Sequence, residues 1–199
     1  MSRCETATRG VISASLFASA GLLVAAQARV RQAEASVAGA ATRSMFGVDT
    51  MVNALRPVIH FPVKADGSTG PFWIGLTVSQ ECTVAWLLVP LLVLSGLFAF
   101  GRRFAIRAVV LAVFIAAVAL SVVNVVRLVV IVMATHLWGL GAGYRWSHDI
   151  YGSLISIAGA LLSTVLFVKL VTRLTKRGNL VTTLAAVHTQ ADSAQGVGS

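Results

Sequence analysis

The chain has 199 residues and a net charge of +9 at pH 7, and it is 57% hydrophobic but only 12% charged. Soluble domains normally carry about 25% charged residues, so this composition argues against a water-soluble globular protein. Most basic residues lie at the ends of long apolar blocks, a pattern that is typical of cytoplasmic membrane flanks and argues against a nucleic-acid partner. The sequence therefore predicts an all-α integral membrane protein.

The first apolar block, Val11–Ala28, is rich in Ala, Ser and Gly and is the weakest of four. We interpret it as a retained transmembrane helix after a cytoplasmic N-terminus of residues 1–10, because a clear signal-peptide cleavage site is lacking. An Ala-rich helix over Arg29–Leu55 is expected to continue this block outside the membrane. Pro57 is expected to end it, since proline cannot continue a helix interior.

Two short strands are predicted in the rest of the extracytoplasmic segment, residues 29–81. Val58–Val63 and Phe72–Val78 are rich in β-branched and aromatic residues, and Asp66–Pro71 between them has the composition of a turn. A hairpin is marginal by itself, so this one must lie on the helices, on lipid headgroups or on a substrate.

Three more apolar blocks, Thr83–Phe100, Phe104 to about Trp138, and Ile150–Val171, complete a predicted four-helix transmembrane bundle. The last three helices form a membrane core over residues 82–172, and residues 173–199 form a basic cytoplasmic tail that is predicted to be disordered over Thr182–Ser199. Basic clusters flank the blocks at Arg3 and Arg9, at Arg102, Arg103 and Arg107, and at Lys169, Arg173, Lys176 and Arg177. Such clusters stay in the cytoplasm, so both termini are expected there, in the plasma membrane of a prokaryote.

Three polar residues of different helices are predicted to share one outer depth. About twenty residues of helix cross the hydrocarbon core. Cys82 lies twenty residues before Arg102, Arg127 twenty after Arg107, and His148 twenty-one before Lys169, and the three basic residues mark the inner boundary. These three intervals bring a thiol, a guanidinium and an imidazole near one plane.

Each of the three also has an ordinary interpretation. Cys82 alone reads as a small buried residue, and His148 alone reads as a residue of a wet interface. Arg127 alone could snorkel to headgroups, but it interrupts a long apolar run and shares a helix face with Asn124, which indicates a polar pocket. Together the trio suits acyl transfer through a thioester, with a thiolate, a proton carrier and a cation for the oxyanion.

At these residues the chain resembles the exosortase/archaeosortase family of membrane cysteine transpeptidases, over roughly Glu81 to Gly152. Glu81–Thr83 is similar to the family's Cys at a helix start, Asn124–Leu128 to its Asn-x-x-Arg, and His148–Gly152 to its His followed four residues later by Gly. The chain departs from many members in having Thr83-Val84 where Ser-Gly follows the cysteine, and in having fewer spans.

The resemblance implies an extracytoplasmic site with Cys82 as nucleophile and with Arg127 and His148 as its catalytic partners. Supporting or substrate-binding roles are expected for Glu81, Asn124, Asp149 and Gly152, and no metal or other cofactor is expected. The implied substrates are exported proteins that end in a short motif, a transmembrane helix and a basic tail. A non-catalytic membrane scaffold and a small transporter stay open as alternatives.

Overall fold

Helices make up most of the structure, a computed structural model that describes residues 3–63, 72–101 and 103–195. These residues form five α-helices: α1 (Arg3–Ala25), α2 (Gln27–Phe46), α3 (Val84–Phe100), α4 (Ile106–Trp138) and α5 (Ser153–Gln195). Three short strands lie between α2 and α3: β1 (Met51–Val52), β2 (Val58–Val63) and β3 (Phe72–Thr77).

Within the described residues, three helical stretches are long and apolar enough to cross a membrane: Thr6–Ala25, Ile106–Gly141 and Trp146–Arg177. This confirms a membrane-embedded, mainly α-helical protein. α3 is also apolar but has 17 residues, at the lower end of the range that spans a bilayer. A fourth span through α3 therefore stays a prediction.

Apolar packing between α3, α4 and α5 forms the core at the end where the basic clusters lie. Phe167 of α5 is fully buried there against Val109 and Ala112 of α4. α1 packs closely on α3, where the Ser13 hydroxyl donates to the Gly96 carbonyl over 2.6 Å. A Cβ at Gly96 would lie 2.9 Å from the Phe17 ring, so only glycine permits this approach.

A three-stranded antiparallel sheet in the order β1-β2-β3 covers the other end of the bundle. The predicted pairing of β2 with β3 is present, and β1 adds a strand that the sequence did not predict. The predicted turn, Asp66–Pro71, lies outside the described residues. The inward side chains of β2, Ile59, Phe61 and Val63, are buried in a core that includes Ile131 and Val132 of α4.

The helix predicted over Arg29–Leu55 is wrong at its C-terminal end. α2 stops at Phe46 because Gly47 takes a left-handed conformation (φ 66°) and its N–H bonds the Arg43 carbonyl. Pro57 lies well beyond this end, and the intervening chain supplies β1. A break at Ala26 also separates α1 from α2, so the two are not one continuous helix.

The backbone of α5 is helical to Gln195 and so extends into Thr182–Ser199, for which disorder stays a prediction. Between Lys176 and Gln195 the chain has one glycine, Gly178, and no proline. Polar composition alone does not stop a helix that lacks these breakers. At the opposite end, α4 runs into α5 through two π-helical segments, Gly139–Tyr144 and Trp146–Gly152.

Candidate active site

Cys82 is the last residue of a 3₁₀ turn, Gln80–Cys82, that leads into α3. Thr83 then adopts an extended backbone and caps α3, its hydroxyl oxygen accepting the Ala85 N–H over 3.3 Å. Cys82 is therefore fixed just before the N-terminus of a helix, at the positive end of the helix dipole. The thiol is free and only 3% exposed.

The three side chains that were expected to share one depth converge. His148 Nε2 lies 3.4 Å from the Cys82 sulfur, and Arg127 Nη2 lies 3.7 Å from the same atom. Each residue comes from a different element: the turn before α3, the middle of α4, and the π-helical segment before α5. The geometric expectation is confirmed, whereas the catalytic roles of these residues stay a prediction.

Arg127 is 5% exposed, and its Nε has no hydrogen-bond partner among the described residues. Gly152 makes room for it: a Cβ at Gly152 would lie 3.1 Å from Arg127 Nε and 3.3 Å from Nη2. The glycine four residues after His148 thus keeps space for the guanidinium. This gives Gly152 a physical role in the site.

His148 lies in one π-helical segment and packs on a residue of the segment before it. Its ring stacks on that of Tyr144, with centroids 5.0 Å apart and planes inclined by 20°. π-helical turns are rare and often occur at functional sites, and this one places the imidazole over the thiol. The side chain of Asp149, the predicted supporting residue, lies outside the described part of the chain.

Asn124 holds the backbone of Cys82. Its Nδ2 donates to the Cys82 carbonyl over 3.1 Å and to Glu34 Oε1 over 2.6 Å. The predicted supporting role of Asn124 thus corresponds to a contact with the cysteine main chain. The same Glu34 oxygen accepts the Val84 N–H over 2.9 Å.

Glu34 was not identified from the sequence. It lies in α2, is 7% exposed, and belongs to a segment whose nearly balanced charges gave no signal. Burial raises the pKa of the Glu34 carboxyl, although contacts with Val84, Thr83, Asn124 and Arg127 act in the opposite direction. Glu34 is the one acidic residue of this Ala-rich helix, and few of its neighbours on the helix face are polar. That isolation was the signal by which the sequence could have indicated Glu34.

An open cleft of about 440 Å³ reaches the thiol. Its walls are formed by Glu81, Cys82, Arg127, His148, Ser153, Ser156 and Ile157. A nucleophile, a proton carrier and a fixed cation thus face one volume, an arrangement suited to attack on a carbonyl. The described residues include no group of three His, Cys, Asp or Glu side chains that could hold a metal ion.

Residues 31–165 of the chain match the family model described as Transmembrane exosortase (Exosortase_EpsH). No curated protein matches the chain, and no solved structure does. The matched residues include Glu34, Cys82, Arg127 and His148 and cover more than half of the sequence. The chain therefore belongs to the transmembrane exosortase family.

Proposed function

We propose that this protein is a membrane-embedded cysteine protease and transpeptidase that cleaves C-terminal sorting signals and transfers the exported protein to an envelope acceptor. The observation that carries the proposal is the Cys82 sulfur, 3.4 Å from His148 Nε2 and 3.7 Å from Arg127 Nη2 in an open cleft. Family membership supports the same class of reaction.

In the proposed reaction, the Cys82 thiolate attacks the scissile carbonyl carbon and forms a tetrahedral oxyanion beside Arg127. The intermediate collapses, the C–N bond breaks, and protonated His148 gives its proton to the leaving amine. The acyl group is then a thioester on Cys82. An acceptor amine, hydroxyl or water loses a proton to His148, attacks the thioester and releases the thiolate.

The site is proposed to face the extracytoplasmic side, with both termini in the cytoplasm. All four tryptophans are exposed: Trp86, Trp138 and Trp146 lie toward the cleft end of their helical elements, and Trp73 lies in the sheet that covers the same end of the bundle. Tryptophan concentrates at membrane interfaces, whereas the basic clusters of the opposite end favour the cytoplasm. A reporter fused after Lys176 should report cytoplasm, and one near Asp66 the outer side; a cytoplasmic signal near Asp66 contradicts this orientation.

A groove between α3 and α5 supports a substrate that arrives within the membrane. It has a volume of about 310 Å³ and is lined by Leu87, Pro90, Leu94, Leu120, Ala160 and Ser163, among others. Ala160 lies one helical turn after Ser156, which lines the cleft, so the groove lies next to the cleft along α5, in the apolar part of the bundle. Small residues allow close helix–helix approach in lipid, which suits an apolar helix on the substrate.

The decisive experiment is Cys82→Ala, co-expressed with a candidate exported protein that ends in a short motif, an apolar helix and a basic tail. Processing of that protein should be abolished, while the matched Cys4→Ser variant should retain it. The size of the product and its attachment to an acceptor distinguish hydrolysis from transfer. Undiminished processing by Cys82→Ala refutes the proposal and favours a non-catalytic scaffold or a transporter.

A further inference from the structure

We infer that Glu34 is a positioning residue, whose carboxyl group fixes the Cys82 turn against α4 and thereby sets the geometry of the thiol and Arg127. The inference rests on the proposed function for its activity readout. It assigns part of the active site to α2, which lies outside the apolar stretches able to span the membrane.

The contacts form a closed chain around the nucleophile. Glu34 Oε1 accepts from the Val84 N–H at 2.9 Å and from Asn124 Nδ2 at 2.6 Å, and that Nδ2 also donates to the Cys82 carbonyl at 3.1 Å. The backbone of Cys82 is therefore bound by the Asn124 amide, and that of Val84 by the Glu34 carboxyl. Because Asn124 lies one turn before Arg127 on α4, the same ties set the thiol against the guanidinium.

The Val84 N–H explains why a side chain from another helix is needed. Val84 is the first residue of α3, and the first N–H groups of a helix have no partner within it. Thr83 caps the next one, at Ala85, and Glu34 caps Val84. Truncation of Glu34 would leave this buried donor and one hydrogen of Asn124 unpaired, so the turn would shift to find other partners.

The Glu34 carboxyl suits this site as a placed hydrogen-bond acceptor rather than as a negative charge. A carboxylate beside Cys82 would disfavour the thiolate that the reaction requires, since like charges repel. The charged groups near the Glu34 carboxyl include the Arg127 guanidinium, which favours its ionised form, and the α3 N-terminus, which does the same. Burial outweighs them and raises the pKa of the carboxyl, and Oε1 can accept these hydrogen bonds in either protonation state. Glutamine has the same shape and keeps this acceptor, whereas aspartate keeps the acid but is one methylene shorter.

The test compares Glu34→Gln, Glu34→Asp and Glu34→Ala in a Cys4→Ser background, where Cys82 is the one remaining thiol. Two rates are measured in membranes: processing of the co-expressed exported protein, and alkylation of Cys82 by a small maleimide against pH. Thr42→Ala is the matched control, because Thr42 is buried in the same helix. Among the described residues, its hydroxyl donates only to the Ala38 carbonyl, one turn earlier in that helix.

We expect Glu34→Ala to lose roughly 10²-fold in processing, as misplacement of a reacting group by about 1 Å does. Its alkylation profile should shift along the pH axis, because the thiol leaves its place beside His148 and Arg127. Glu34→Gln should recover most of the lost rate and the original profile, and Glu34→Asp should recover less. This order does not depend on the alanine variant folding, since glutamine and aspartate are compared with each other.

Recovery by aspartate that equals or exceeds recovery by glutamine would overturn the inference, because the acid rather than the placed acceptor would then matter. Wild-type processing and an unshifted profile in Glu34→Ala would overturn it as well. Failure of the proposed function has a different signature: Cys82→Ala processes normally, while the alkylation profiles still rank the Glu34 variants.

Discussion

Two arginines from apolar helices occupy opposite ends of this bundle, and their surroundings differ. Arg9 of α1 donates through Nη1 to the carbonyls of Gly101 and Phe104, at 2.9 and 3.1 Å, and more weakly to that of Ala99, at 3.5 Å. Arg127 of α4 instead makes one long contact, 3.7 Å from Nη2 to a thiol, and donates to no backbone carbonyl among the described residues.

The difference distinguishes an arginine that binds the end of a helix from an arginine that lines a cleft. Arg9 satisfies carbonyls at the C-terminus of α3 and in the following turn, which otherwise lack donors. Arg127 lies at the wall of an open cleft, where its contact is with the Cys82 sulfur rather than with a helix end. An arginine that approaches a thiol in a cleft is therefore a better candidate for a functional role than an arginine that caps a helix end.

The largest expected effect is that of Arg127→Lys, which keeps the charge but loses the planar fork. If the guanidinium stabilises an oxyanion, processing should fall about 10²-fold while the protein still purifies as a folded species. Arg9→Lys is the matched change at the other end; it should lower thermal stability and leave the Cys82 alkylation profile unchanged. Similar losses of activity in the two variants would contradict a functional role that Arg127 has and Arg9 lacks.

His148→Ala should slow alkylation of Cys82 near neutral pH roughly tenfold, because less of the thiol is ionised without its imidazole partner. Labelling rate against pH, measured in membranes, gives the result directly. Arg127 variants can slow labelling too, so the two profiles are compared with each other. An unchanged profile in His148→Ala together with lost activity would restrict His148 to the leaving group or to substrate binding.

Two closely packed glycines, one at each end of the bundle, allow the two ends to be compared by adding a methyl group to each. Gly152→Ala adds a Cβ 3.1 Å from Arg127 Nε, and Gly96→Ala adds one 2.9 Å from the Phe17 ring. We expect the first to reduce processing roughly tenfold with little loss of stability, because a small displacement of a catalytic group is costly. The second should lower the melting temperature without changing the pH profile of Cys82. An inactive but unstable Gly152→Ala would indicate packing rather than placement.

The smallest effect concerns pH and Glu34. Its pKa in the fold lies above the ordinary value of 4.5, so the native state holds the proton more tightly than the unfolded chain. The associated stability is fully present below pH 4.5 and is lost as pH rises through the raised pKa. Wild type should therefore lose a few degrees of melting temperature relative to Glu34→Gln between acid and neutral pH, measured in detergent by tryptophan fluorescence. A constant difference would mean that Glu34 does not titrate differently on folding.

Helix rise was enough to predict the convergence of Cys82, Arg127 and His148, because a span of fixed thickness converts sequence distance into depth. Outside the membrane, sequence distance does not give depth in this way. The contact of Glu34 with Asn124 joins residues 90 positions apart in two separate elements, and neither residue signals the other. The end of α2 was misplaced for a local reason: Gly47 can end a helix in a left-handed conformation, but nothing in the sequence required it to do so.

The long sequence separation of the thiol contacts has a consequence for synthesis. His148 follows Cys82 by 66 residues and Arg127 follows it by 45, and both approach the sulfur only after α4 and the start of α5 have packed. During translation and insertion, Cys82 therefore emerges before the imidazole and the guanidinium that neighbour it in the fold. The three groups come together only at the last step of assembly, so a chain that stops before α5 packs should contain the thiol without the site.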